Sequence, residues 1–294
     1  MYNQLIKICP NTLEKVSFRS LTTFKIGGIA RYVCYPSSVD ELTNLVMFCK
    51  EQKIDTFVLG GGSNILADDT GFLGVVICTK RLNEIALLSP CRVRAQAGAM
   101  MSALAHFCKT HGLSGAENLC GIPGTIGGAI VMNAGAFGGE IAKIVESVTY
   151  FENGKVETKK KSQLFFDYRK SIFTNRPNCV ILSVVLRLKK STPEFVQENL
   201  LRFITQRQAS QNVGMPSAGS IFKKVNHESA AVYIQNCGLK GAKLGDAMVS
   251  NEHAGFIINT GRATSKQVLS LIEKIKQEVK LKYGVELEVE IVVL

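Results

Sequence analysis

Thr56-Phe57-Val58-Leu59-Gly60-Gly61-Gly62-Ser63-Asn64 runs a short apolar strand directly into three consecutive glycines and two small polar residues. Without Cβ atoms such a backbone turns sharply and aims successive N–H groups at one anion, with the Ser63 hydroxyl and the Asn64 amide as further donors. A second segment, Gly121-Ile122-Pro123-Gly124-Thr125-Ile126-Gly127-Gly128-Ala129, repeats the idea, with Asn133-Ala134-Gly135 close behind. Two such loops suit a diphosphate approached closely from both sides; either one alone reads equally well as a tight turn. Neither is a GxGxxG fingerprint, and the Gly154-Lys155 pair has no Walker loop before it. A Rossmann or P-loop protein is therefore not expected.

Outward from the first loop, helix and strand signals alternate. Ser38-x-x-Glu41 is a capping box ahead of Leu42, Leu45, Val46 and Cys49 at helical spacing. Strands are expected over 74–79, 93–97 and 181–188, and a helix over 99–109 that stops near Gly112. Asn153-Gly154, flanked by Ser147 to Phe151 and Lys155 to Lys159, marks a hairpin, since both central residues of such a turn need positive φ. Lys189 to Glu194 is the candidate domain boundary, leading into a helix with Pro193 early and Val196, Leu200 and Ile204 on one face. Beyond it lie a polar loop from Asn212 to Gly219, a helix ending at Gly238, a long helix from Ser265 to Tyr283 and a terminal strand from Val285 to Leu294. The fold class is α+β, with a loop-heavy N-terminal two thirds and a smaller C-terminal domain.

Composition narrows the partners. Lys plus Arg exceed Asp plus Glu by 35 to 24, a net charge of +11 over 294 residues, which favours anions such as nucleotides and phosphates. The nine cysteines are never closer than twelve positions, so no CxxC pair or zinc knuckle exists, and an odd, scattered set is no disulfide framework. His106, His111, His227 and His253 have no ligand spacing, and no metal site is expected. Between Glu117 and Glu140 there is no charge, long enough to cross a bilayer. Those 22 residues hold seven glycines and Pro123, and each glycine costs a helix interior about 1 kcal/mol. No membrane span is expected, and the N-terminus lacks the apolar stretch of a signal peptide.

Seven blocks, in this order, resemble the UDP-N-acetylenolpyruvoylglucosamine reductases (the MurB family) of bacterial peptidoglycan synthesis. They are Thr22-Thr23-Phe24-Lys25-Ile26-Gly27-Gly28, the Gly60 loop, the Gly121 to Gly135 segment, Tyr168-Arg169-Lys170-Ser171-Ile172-Phe173, Ala218-Gly219-Ser220-Ile221-Phe222-Lys223, the stretch from Val249 to Asn259, and Leu287-Glu288-Val289-Glu290. In length the chain is similar to the family's shorter class. The resemblance implies an FAD-binding domain of the PCMH/VAO type over 1–190, made of two α+β subdomains of about 1–80 and 81–190. A C-terminal α+β substrate-binding domain over 191–294 follows, with the terminal strand 285–294 returning to the active site.

The resemblance also implies non-covalent FAD, since no histidine follows the Gly60 loop in a flavin-linking position. NADPH would be the donor and a UDP-sugar with an enolpyruvyl ether the acceptor, in a cytoplasmic monomer. The cofactor would lie against Gly60, Gly61, Gly62, Ser63, Asn64, Gly121, Pro123, Gly124, Thr125, Gly127, Gly128, Ala129, Asn133 and Gly135. The family's catalytic Arg, Ser and Glu map to Arg169, Ser220 and Glu290, and Lys223 and Lys224 fall where the substrate diphosphate is held. Read alone, each has a plainer explanation: a surface arginine, a turn serine, and a glutamate on the solvent face of a strand. Lys224 and Val225 replace the Asn-Pro usual after Phe-Lys, Val289 replaces a Pro, and Val292 stands where an Arg is common.

Two other readings stay open at this level. A different FAD oxidoreductase of the same superfamily would not require Ser220 and Glu290 together. A nucleic-acid-binding protein is suggested by the charge and by Lys159-Lys160-Lys161, but the basic residues are dispersed and no aromatic-studded basic strand accompanies them.

Overall fold

The computed structural model describes residues 1–176, 178–211 and 214–294. Residues 212 and 213, the first two of the expected polar loop, lie outside the described residues. Helices and strands mix throughout, an α+β fold, in two compact units: Met1–Glu14, Tyr32–Gly61 and Leu73–Gln206, and Lys15–Arg31, Gly62–Phe72 and Arg207–Leu294.

The first unit carries most of a four-stranded sheet and the whole of a five-stranded one, besides two-stranded pairs. In the first, the strands run in the order Thr12–Ser17, Ile29–Cys34, Phe72–Cys78, Thr56–Leu59, and the last pair is parallel, Thr56 opposite Val75 and Leu59 opposite Cys78. Helix Val39–Glu51 buries Leu42, Leu45 and Cys49 in the same core as Val75 and Ile77. Ser38 caps it by accepting from the Glu41 N–H at 3.1 Å, while the Glu41 carboxylate reaches back to Ser37 rather than to Ser38. The second sheet has five strands in the order Lys155–Lys160, Val145–Glu152, Cys179–Arg187, Arg92–Gln96, Ile85–Ser89. Its hairpin closes through Asn153 and Gly154 at φ 50 and 78, as the dipeptide requires. Helix Met101–Thr110 lays Met101, Leu104 and Cys108 into the core that holds Val93, Ala95, Val148 and Val184.

The 189–194 boundary read from sequence and the division into units do not coincide. Val196 and Leu200, early in helix Pro193–Ser210, are buried with Ala105 and Cys120. Burial of an aliphatic side chain is worth about 1.5–3 kcal/mol, so the front of this helix belongs with the first unit.

The second unit is built on helix Ser265–Tyr283, capped by Thr264 and Gln267 in a capping box and ended by Gly284 at φ 67. Val268, Leu271, Ile272, Ile275 and Val279 pack under a four-stranded sheet ordered Ser217–Ser220, Phe256–Asn259, Ala247–Val249, Lys243–Leu244. Phe24, Ile26 and Leu66, distant in sequence, complete that core.

Two expectations need correction. The uninterrupted terminal strand over 285–294 is instead a segment that changes partner: Val289 bridges Phe222 antiparallel, and Val292–Val293 pairs parallel with Ile65–Leu66. The glycine-rich stretch 121–131, read as loop, contains a short helix, Ile126–Val131, capped by the Thr125 hydroxyl. Among the described residues, no helix is long and apolar enough to cross a membrane.

Candidate functional site

The parallel strand Thr56–Leu59 delivers the Gly60 loop at its C-terminal end, where it meets the second glycine segment at backbone distance. A Cβ on Gly60 would sit 2.4 Å from Thr125 Oγ1, and one on Gly61 would sit 2.6 Å from Gly124 Cα. Among the described residues the N–H groups of Gly60 and Gly61 meet no protein acceptor. Gly121 and Gly124 take φ of 77 and 132. The two segments therefore touch through glycine alone and leave unused donors beside the contact, a cradle that fits the diphosphate of a dinucleotide.

The helix behind this contact spends its own donors inward. Ile126 N–H binds Ala99 O at 2.8 Å and Gly127 N–H binds Ala97 O at 2.8 Å. Gly128 N–H reaches Thr125 Oγ1 at 3.4 Å. Met100 and Thr125 form the bridge between these bonds, a geometry that turns the Thr125 N–H outward. Gly127, Ala129 and Asn133 are buried, whereas Gly121, Pro123 and Gly128 are exposed. Asn133 donates to Glu140 Oε2 at 3.2 Å and to Asp167 O at 3.0 Å, so both amide N–H groups are consumed and its part is to shape the wall rather than to donate into the site. Gly98 went unread in the sequence: a Cβ there would fall 1.8 Å from Thr79 O. It lies between the two carbonyls that dock the helix, and its only signal is the small-residue run Ala97-Gly98-Ala99.

Arg169 sits at a two-residue hairpin turn, with Asp167 paired to Lys170. Its φ is 54, a left-handed conformation that costs a non-glycine residue about 1 kcal/mol or more and is found at functional sites. The guanidinium donates to Gly135 O at 3.1 Å and lies 5.1 Å from the Tyr168 ring centroid. Gly135 thus holds the arginine.

In the second unit, Ser220 ends a strand with a bulge: Ser217 opposes Ile258 and Ser220 opposes Phe256, with Gly219 at φ 77 between them. Such a bulge re-aims the side chain after it. Among the described residues, Ser220 Oγ has no hydrogen-bond partner and is half-buried. The next residues pair with the C-terminal segment: Glu290 N–H binds Ile221 O at 2.8 Å and Lys223 N–H binds Glu288 O at 2.9 Å. The structure therefore brings Ser220, Lys223 and Glu290 onto two segments joined by the Phe222–Val289 bridge. Lys223 is engaged by Glu288 in an ion pair, of the exposed kind worth about 0–1 kcal/mol and easily exchanged for a phosphate. Lys224 is exposed. Gly62, at φ 69, packs under Leu21 O, and its carbonyl takes the Thr23 N–H at 3.0 Å. The Asn64 amide, expected at the cofactor, donates one N–H to Glu290 O at 3.2 Å.

The departures from the family pattern have a geometry. Val225 exchanges both backbone bonds with Glu228 across a turn of Asn226 and His227 at φ 47 and 68. A proline at 225 would lose one of them. At 289 the ladder bonds belong to neighbouring residues, so the Val289 N–H stands outside the ladder. Val289→Pro is accordingly expected to leave the melting temperature unchanged or slightly higher, by at most about 1 kcal/mol of stability. A clear loss by thermal denaturation would show that this N–H matters.

Residues 210–294 match the C-terminal domain of UDP-N-acetylenolpyruvoylglucosamine reductase, and residues 30–158 match an FAD binding domain. The chain is 38% identical over 279 residues to a UDP-N-acetylenolpyruvoylglucosamine reductase of Clostridium novyi (strain NT), covering 95% of this chain and 90% of that one. A relative of the same name from Pseudothermotoga lettingae is 42% identical over 271 residues, 92% and 93% of the two chains. The crystal structure of the Thermus caldophilus enzyme matches with a TM-score of 0.82 at 33% identity, covering 95% of this chain and 98% of that one.

Proposed function

Since the chain belongs to the UDP-N-acetylenolpyruvoylglucosamine reductase family, we propose that it reduces the enolpyruvyl ether of that UDP-sugar to UDP-N-acetylmuramate, with Arg169, Ser220 and Glu290 as its catalytic residues. The reaction adds hydride to C3 of the olefin and a proton to C2, through an enolate conjugated with the carboxylate. When bound, FAD supplies the two-electron relay between NADPH and the olefin. Gly60, Gly61, Gly62 and Ser63, with Gly124 and Thr125, would hold it through main-chain groups, and Gly121, Pro123 and Gly128 border the same surface.

Arg169 braces the charge that builds on the substrate carboxylate, a bidentate task that suits a guanidinium. Its docking on Gly135 limits the rotamers from which it can do so. Glu290, when it carries its proton, donates to the same oxyanion. Ser220 delivers the proton to C2; a serine is a weak acid, but an enolate carbon is a strong base. Lys223 and Lys224 offer positive charge to the diphosphate. The single observation carrying this assignment is the 2.8 Å bond from Glu290 N–H to Ile221 O. It keeps the proposed acid one step in register from Ser220. In this reading residues 1–190 bind the cofactor, residues 191–294 bind the sugar nucleotide, and the enzyme works as a cytoplasmic monomer.

Incubation with NADPH and the enolpyruvyl sugar nucleotide tests the reading. One donor should be oxidised per product formed, the product being heavier by two hydrogens. Oxidation of NADPH that leaves the sugar nucleotide unchanged would contradict it.

A further inference from the structure

We propose that Asn64 is a positioning residue for Glu290, holding through its side-chain amide the peptide that carries the acid; this rests on the role given to Glu290 above. Glu290 lies in a segment that changes partner between Val289 and Val292, so its place depends on what ties its peptide down. Beyond it the chain is tied by a regular ladder: Val292 N–H to Asn64 O at 2.9 Å, Leu294 N–H to Leu66 O at 3.0 Å and Asp68 N–H to Leu294 O at 2.8 Å. One step back, the donor comes from a side chain. Just upstream Gly62 takes φ 69, outside the strand Ile65–Leu66, and the next rung is made by a side chain. The Asn64 amide takes that place and donates to Glu290 O at 3.2 Å.

On its other edge the same residue gives its N–H to Ile221 O at 2.8 Å. Glu290 is thus gripped by both main-chain groups, one from the Ser220 strand and one from the glycine loop. An amide is the side chain this rung needs. Alanine removes the donor, and serine is too short to reach. Aspartate keeps the shape but sets a carboxylate against a carbonyl, which is worse than an absent bond. The Asn64 side chain has no other hydrogen bond among the described residues.

The test uses holoenzyme and five variants: Asn64→Ala, Asn64→Ser, Asn64→Asp, Glu290→Gln and the Asn64→Ala/Glu290→Gln double variant. FAD content, bleaching by NADPH and return of colour with the enolpyruvyl sugar nucleotide are measured for each, with amide exchange over 286–294. Asn64→Ala and Asn64→Ser should keep FAD and bleach within about twofold of wild type, yet recover colour about tenfold more slowly, the scale expected for a modest misplacement of a reacting group. Asn64→Asp should be slower still, and exchange near Glu290 should quicken in all three. In the Glu290→Gln background, removing the amide should cost less than about twofold more, because a residue acting through another has nothing left to act on. Fully additive losses, or lost FAD with both half-reactions impaired, would overturn the positioning role and make Asn64 a cofactor contact. Wild-type recovery of colour by Glu290→Gln alone would instead refute the acid role, a separate failure.

Discussion

Ser220→Ala is expected to bleach with NADPH within about twofold of wild type while recovering its colour on the enolpyruvyl sugar nucleotide about 10²–10⁴-fold more slowly, the usual worth of a positioned proton donor. The asymmetry follows from where the hydroxyl sits. Ser220 follows a left-handed Gly219 in a bulge, and its Oγ is committed to no described residue, so its removal strands no protein group. Nor is it part of the glycine contact made by Gly61 and Gly124. What disappears is a proton for C2, needed only when the sugar nucleotide is the acceptor. Rapid-mixing measurement of the two half-reactions separates these steps. Equal slowing of both would mean that Ser220 supports the fold or the cofactor instead.

Gly61→Val should yield protein without bound flavin that takes up none when FAD is added in excess. Even the first carbon of the new side chain would fall 2.6 Å from Gly124 Cα, where the obstacle is backbone and cannot rotate aside. Gly60 presents a milder case, because its nearest neighbour is the Thr125 hydroxyl at 2.4 Å. That group can turn away at the loss of a helix cap worth about 1 kcal/mol. The comparison variant is Gly214→Ala, where an added Cβ meets nothing within 4 Å; it should stay yellow with a normal flavin ratio. A Gly61→Val protein with full flavin content would show that the two segments can part without loss, and the cradle would be wrong.

Much of this architecture was legible because local signals and tertiary demand agree. The stripe from Val268 to Val279 is one helical face, with Thr264 and Gly284 marking its ends. Asn153-Gly154 announces its hairpin by residue type, and both residues take the positive φ it needs. The terminal segment was harder. Leu287 and Ile291 are buried and Glu288 is exposed, so alternation is real, yet it says nothing about a change of partner halfway along. The short helix after Gly124 is invisible to propensity, since glycines oppose it; carbonyls of Ala97 and Ala99 hold its first turn.

At the site, residue types were readable and their employment was not. Asn64 and Asn133 both sit in glycine-rich stretches as candidate donors to a cofactor. One gives a single N–H to the Glu290 carbonyl, and the other spends both of its N–H groups on Glu140 and Asp167. Spacing reports which groups are near in the chain, whereas a hydrogen-bond partner can come from more than 200 positions away, as with Asn64 and Glu290.

The most direct test is the visible spectrum of the purified protein under anaerobic conditions. It should show a flavin band that vanishes with NADPH and reappears on adding the enolpyruvyl sugar nucleotide but not a simple alcohol. A protein that binds no flavin under any loading condition, or whose bleached band ignores that sugar nucleotide, would contradict the account.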